Sequence, residues 1–391
     1  MTPRDRILTV LNGGIADRVP VTLFIMDEGH FLSQVYPDYD IDDHIGNKFR
    51  VIDLQREFGA DIHMRIWGGC VPLWLMIGGF NTEASTGDWK VEKKVFTRGK
   101  STVTASRAIT PEGELNQEFT VSEFMKGTLH YACTKKPVNS IKDLNLMEKY
   151  EPSMREDYPG HISNIVSRTK EYLADDGIIS MWIPGGLFNH CSRLIDLETL
   201  YMLYLTDKAF YEKLMDLSFN RIKPFLKAIT ATDLDLLNMG GNTAGGFLGA
   251  KIFEENVLPY EKKLIEFIHS LGKKVLYHNC GEIMNLAASY TGMGADIVET
   301  FSPPPLLGDA DLKKAKELSG GKYIIIGNID QVNVIKDGEP GIIRNTVKEA
   351  VEAGKPGGKF ILQPSDFLEY DTPLENVKAF IEAGKEYGQY K

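Results

Sequence analysis

The chain has 391 residues, 43% of them hydrophobic, enough to bury a large core. Its 54 acidic against 44 basic side chains leave a formal charge of -10, the wrong sign for gripping nucleic-acid phosphates. Cys70, Cys133, Cys191 and Cys280 are far apart and form no CxxC pair. With a polar N-terminus and no long apolar run, they lead us to expect a cytoplasmic protein with no membrane span.

Eight short β-rich apolar runs follow in chain order: Val19–Met26, Ala60–Trp67, Ile178–Pro184, Leu234–Met239, Lys274–His278, Ala295–Phe301, Tyr323–Gly327 and Lys359–Gln363. They are continuous rather than alternating, as parallel strands covered on both faces are. Helical periodicity lies between them, most clearly in Phe253–Leu271 and Pro373–Tyr387. Strand and helix alternating eight times predicts an α/β fold, a (β/α)8 TIM barrel spanning residues 1–391 as one domain. Residues 86–135 break the rhythm. Trp89–Phe96, Ser101–Ala108 and Leu115–Val121 are strand-like, and Thr110-Pro111-Glu112-Gly113 is a turn. This stretch is expected to be a β-hairpin insertion between barrel strands two and three.

Barrel active sites sit at the C-terminal ends of the strands. His278 and Cys280 end the fifth strand; two residues apart on extended chain, they face one way. Imidazole and thiolate are zinc ligands, although a packed cysteine beside a hydrogen-bonded histidine would give the same letters. Glu299, at the end of the next strand, is a candidate third ligand or the partner of a buried cation. Asp366, after strand eight, is a candidate ligand or catalytic acid, or a helix cap. Asp27, Glu28 and His30 after strand one are candidate acid–base groups or ion-pair partners of the insertion. Asn238, Asn242 and Asn328 at other strand ends are candidate cofactor-binding groups. Trp67, Trp182, Tyr277 and Phe301 either wall a pocket or pack the core.

Several landmarks together resemble the uroporphyrinogen decarboxylase superfamily. They are Arg4-Asp5-Arg6-Ile7-Leu8, Asp17-Arg18-Val19-Pro20-Val21, Phe58-Gly59-Ala60-Asp61, Tyr277-His278-Asn279-Cys280-Gly281, Gly327-Asn328-Ile329-Asp330 and Thr372-Pro373-Leu374-Glu375-Asn376-Val377. The resemblance implies a barrel with one of two chemistries. One is cofactor-free decarboxylation of uroporphyrinogen; the other is methyl transfer to or from a corrinoid protein with zinc at the barrel mouth. The decarboxylases carry two arginines after strand one. Here that place reads Phe24-Ile25-Met26-Asp27-Glu28-Gly29-His30-Phe31, where carboxylates of an octa-acid substrate would meet acids rather than clamps.

The methyltransferase branch implies zinc on His278 and Cys280, with Glu299 at the carboxylate position. Its late cysteine is replaced here by Ser365 or Asp366, which makes the set harder and suits an oxygen leaving atom. The expected activity is therefore transfer of a methyl group from a small methylated substrate, a methoxyarene being one example, to the corrinoid of a partner protein. This is the O-demethylase-type reaction of anaerobic metabolism. The alternatives are a decarboxylase of another acid and a non-catalytic metabolite- or corrinoid-binding barrel. The resemblance also points to a homodimer.

Overall fold

A computed structural model describes residues 1–125, 128–241 and 248–390. Two sheets organise the chain, and their eleven strands run as follows. β1 is Ile62–Ile66, β2 Lys90–Arg98, β3 Ser101–Thr110, β4 Gly113–Met125, β5 Thr128–Lys135 and β6 Gly177–Trp182. β7 is Leu236–Gly240, β8 Lys274–Asn279, β9 Ile297–Thr300, β10 Ile324–Ile329 and β11 Phe360–Pro364.

The larger sheet has seven parallel strands in the order β1-β6-β7-β8-β9-β10-β11. All residues of β1, β6, β7, β9, β10 and β11 are buried. Helices cover one face. The concave face is layered. At its base Ile178, Leu236, Leu276, Ile297, Ile324, Ile326 and Ile361 pack with Ile7, Val10 and Leu11 of the N-terminal helix Pro3–Leu11. This plug lies on alternate positions of successive strands, as the two-residue period of a strand requires. Two residues further along, the same face turns polar: Ser180, Asn238, His278, Glu299 and Gln363 are all buried there.

The first expected strand, Val19–Met26, is not a strand. Only Val21 forms a bridge, to Leu362 of β11. Thr22 donates to the Leu362 carbonyl at 2.9 Å, and Leu362 donates to the Pro20 carbonyl at 2.9 Å. On the other side Asp61 donates to the Val21 carbonyl at 2.8 Å, while Val21 donates to the Asp61 carboxylate at 2.8 Å. Residues 20–22 thus reach both edges of the sheet. Pro20 has no backbone N–H to give a ladder, and a side chain at Asp61 takes the place of a strand carbonyl. Asp61 is buried and also holds Arg6 at 2.6 Å and Arg18 at 2.6 Å.

The expected hairpin between the second and third runs is instead a four-stranded antiparallel sheet, β2-β3-β4-β5. Its fourth strand, Thr128–Lys135, escaped the sequence reading because His130, Thr134 and Lys135 interrupt its apolar pattern. The turn at Pro111-Glu112 links β3 and β4, with Thr110 Oγ1 donating to the Gly113 carbonyl. At Gly99, φ is +61° in the β2–β3 turn, a conformation that costs a glycine little. The expected C-terminal helix runs Leu374–Tyr387. The expected Phe253–Leu271 helix comprises a π-turn, Phe253–Val257, followed by Leu258–Ser270. No helix among the described residues is long and apolar enough to cross a membrane.

Candidate metal centre

The polar layer opens at the C-terminal ends of the strands. There His278, Cys280 and Asp366 bring one ligand atom each to within 4.8 Å of one another. β8 delivers His278 as its penultimate residue, and Cys280 is the first residue past the strand's end. Asp366 follows β11. One of its oxygens accepts from the Phe367 amide at 2.8 Å, which fixes the carboxylate, and the other lies 3.8 Å from His278 Nε2.

Behind this group lies a second set of charges. His278 Nδ1 is 2.9 Å from Glu299 Oε1. Arg65 donates to both Glu299 oxygens at 2.7 Å, and Gln363 Nε2 donates to one of them at 3.3 Å. All four contacts fall on one fully buried carboxylate. Burial alone would raise the Glu299 pKa, but Arg65 overrides it and holds the carboxyl well below the usual range. A permanent anion at Nδ1 holds a proton on that nitrogen and leaves Nε2 facing Cys280 and Asp366. Burial works to lower the His278 pKa. Hydrogen bonds to Cys280 and Glu299, with the nearby Asp366 charge, outweigh it and raise the value.

The residues singled out in the sequence are therefore divided. His278, Cys280 and Asp366 come together. Glu299 adjoins His278 on the far side from Cys280, with its oxygens committed to Arg65, Gln363 and His278. Asn238 is fully buried in the same polar layer; it donates to Ser180 at 2.9 Å, and its Oδ1 has no partner among the described residues. Asn328 is buried at the end of β10, in register with Gln363. Asn242 lies outside the described residues. The backbone of His30 starts the short helix His30–Val35, and its side chain lies outside them too.

Asp27 is spent on Lys48, 2.8 Å away, and on the amides of Trp67 and Gly68. Glu28 remains on the wall of two adjoining cavities of about 520 and 460 Å³ that share Ile41, Trp67 and Tyr131. Burial, with the Asp27 charge second, pushes its carboxyl up to about 7. Trp67 stacks edge-on against Trp182 at 5.9 Å, and Trp182 against His278 at 5.4 Å. The cavities thus lie one layer of rings from the metal cluster. Tyr277 and Phe301 pack in the core. Cys70, Cys133 and Cys191 are buried, and burial pushes their thiols up to about 12, 11 and 12.

Arg65 and Gln363 are the members of the centre that sequence reasoning missed. The signal was available: an arginine inside the short run Ile62-His63-Met64-Arg65-Ile66 cannot be buried without an anion. Phe24 covers its guanidinium at 4.1 Å and also meets His278 edge-on.

A curled seven-stranded parallel sheet with a His/Cys/Asp cluster at the C-terminal ends of its strands defines an α/β protein. Residues 122–387 match the family Uroporphyrinogen decarboxylase (URO-D), and the chain belongs to that family. Among curated proteins it is 24% identical over 258 residues to the methylcobamide:CoM methyltransferase MtbA of Methanosarcina acetivorans, covering 65% of this chain and 70% of that one. It is also 24% identical over 196 residues to MtaA of Methanosarcina barkeri, named likewise, covering 50% of this chain and 55% of that one. A solved structure described as a methyltransferase from Methanosarcina mazei superposes over 99% of both chains with a TM-score of 0.71 at 17% identity, a likeness of fold.

Proposed function

We propose that this protein is a methyltransferase that moves a methyl group from a small methylated substrate to a corrinoid carried by a separate protein. In this reading zinc is held by His278, Cys280 and Asp366. The observation that carries it is the convergence of those three ligand atoms in front of a histidine already oriented from behind. The relatives named for methylcobamide and coenzyme M support methyl exchange with a corrinoid. The acids that stand where uroporphyrinogen needs cations argue against decarboxylation. Residues 20–22, bonded to both sheet edges, would act as the eighth stave of a closed barrel, with β2–β5 as an insert within one domain.

The donor chemistry fits zinc. An imidazole nitrogen, a thiolate and a carboxylate are three of its ordinary ligands, and three protein ligands leave a position open. Bound there, zinc would supply Lewis acidity to a leaving atom, and one thiolate in place of two makes it harder, suited to oxygen or nitrogen rather than sulfur. Glu299 and Arg65 orient His278. Trp182, Phe24 and Phe367 exclude water around it. Asp366, held by the Phe367 amide, would complete the zinc shell as a carboxylate and so keep the leaving atom's position aligned.

The test is metal analysis of freshly purified protein, followed by methylation of a Co(I) corrinoid followed by its absorbance change. About one zinc per chain, lost together with activity in His278→Ala and Cys280→Ala, is the expected result. Full activity in both variants would sink the reading.

A further inference from the structure

The two cavities beside the centre have a charge pattern that the metal chemistry does not explain. Carboxylates line both: Glu28 is common to them, Asp40 and Glu123 border the 460 Å³ cavity, and Asp42 and Glu83 border the 520 Å³ cavity. Among the described residues, one arginine and no lysine lines either space. That arginine, Arg155, is engaged by Asp157. The walls of the 460 Å³ cavity are rings: Tyr39, Trp67 and Tyr131.

We infer that this cavity is the binding site for a small organic ammonium, and that the substrate of the proposed methyltransferase is cationic. The inference deepens the proposed function and rests on it for the word substrate. Ring faces attract ammonium groups through their quadrupoles, most strongly for tryptophan and where water is excluded. Carboxylates around the rings add charge, and a net negative wall repels a methoxybenzoate or any other anion. A neutral methoxyarene would use the rings alone. Glu28 sits where these features meet. Its nearest cation, Lys48, is already taken by Asp27 and by the carbonyls of His44 and Gly68. Burial, then the Asp27 charge, raises its pKa, and no salt bridge among the described residues gives it a counter-ion. An ammonium on the rings would supply one.

Calorimetry on the full-length protein with choline, tetramethylammonium and 3,3-dimethylbutan-1-ol, the uncharged isostere of choline, tests the inference. Choline is expected to bind at least about tenfold tighter than the isostere, a gap of about 1.4 kcal/mol. Glu28→Gln and Tyr131→Ala, each checked for native circular dichroism, should close most of it. Equal binding of the isostere, or silence of both cations, overturns the cation site. The corrinoid assay separates the two readings. Cation binding without methyl transfer leaves the site standing and removes the function. Methyl transfer from neutral methoxyarenes with no cation binding does the reverse.

Discussion

Glu299 receives both terminal nitrogens of Arg65 at 2.7 Å while facing the Nδ1 of His278 at 2.9 Å. The bidentate pair is fully buried, one residue on β1 and the other on β9, across the hollow of the sheet. Burying two charges is tolerable only where each finishes the other's hydrogen bonds. Here Gln363 bonds both partners and Phe24 covers the guanidinium, while Arg65 Nε has no partner among the described residues.

Arg65→Met should therefore leave an uncompensated buried carboxylate and cost about 3–5 kcal/mol in urea denaturation. If the fold survives, zinc competition should show about 10–100-fold weaker binding, the usual effect of losing the group that orients a ligating histidine. Unchanged zinc affinity would mean that the Arg65–Glu299 pair serves packing alone.

Asp366→Cys restores a second thiolate. Zinc should bind more tightly in a chelator competition, and methyl removal from substrates with oxygen or nitrogen leaving atoms should slow, since the softer set is a weaker Lewis acid. Faster turnover with such substrates would contradict the role given to the carboxylate.

Zinc removal should leave the fold intact. The core beneath the centre is apolar and the His278–Glu299–Arg65 set is joined without metal. Dialysis against a chelator should abolish methyl transfer with far-ultraviolet circular dichroism unchanged. The unfolding free energy should fall only by what metal binding contributed, with a correspondingly lower melting midpoint.

Glu28 provides a pH dependence of stability with a definite sign. Its carboxyl titrates at about 7 in the folded protein and at the ordinary 4.5 when unfolded. Between those values the folded chain holds a proton that the unfolded chain lacks. This contribution is fully present below about pH 4.5 and is lost as pH rises toward 7. Glu28→Gln should flatten that part of the curve in denaturant titrations at successive pH values. An unchanged slope would place the Glu28 carboxyl in water.

Asp61→Asn should loosen the seam between residues 18–22 and β1, because Arg6 and Arg18 lose their shared anion. A loss of about 3–5 kcal/mol is expected, with faster amide exchange at Val21 and Thr22 than in β7 or β8.

The parallel strands were legible because residues buried on both faces write continuous apolar runs, and the helices because their faces repeat at helical spacing. Val19–Met26 misled because its apolar content reflects burial, whereas its hydrogen bonds reach a side chain, Asp61, and a single bridge residue. The fourth insert strand was hidden because an exposed strand carries little hydrophobic pattern. His278 and Cys280 were legible because spacing of two on a strand fixes a common direction. The relation of Glu299 to Asp366 was not, because it depends on which carboxylate Arg65 captures across the hollow, and nothing local in the sequence records that.

The β2–β5 sheet contributes Glu123, Leu129 and Tyr131 to the lip of the cavity, while the parallel strands and the loops after them supply His278, Cys280 and Asp366 and the groups that support them. Part of the cavity wall is thus written on a stretch of the gene that holds none of the His278, Cys280 and Asp366 cluster. Drift in the stretch encoding 90–135 can reshape that part of the wall and leave the cluster, and the Glu28 and Trp67 side of the cavity, as they are.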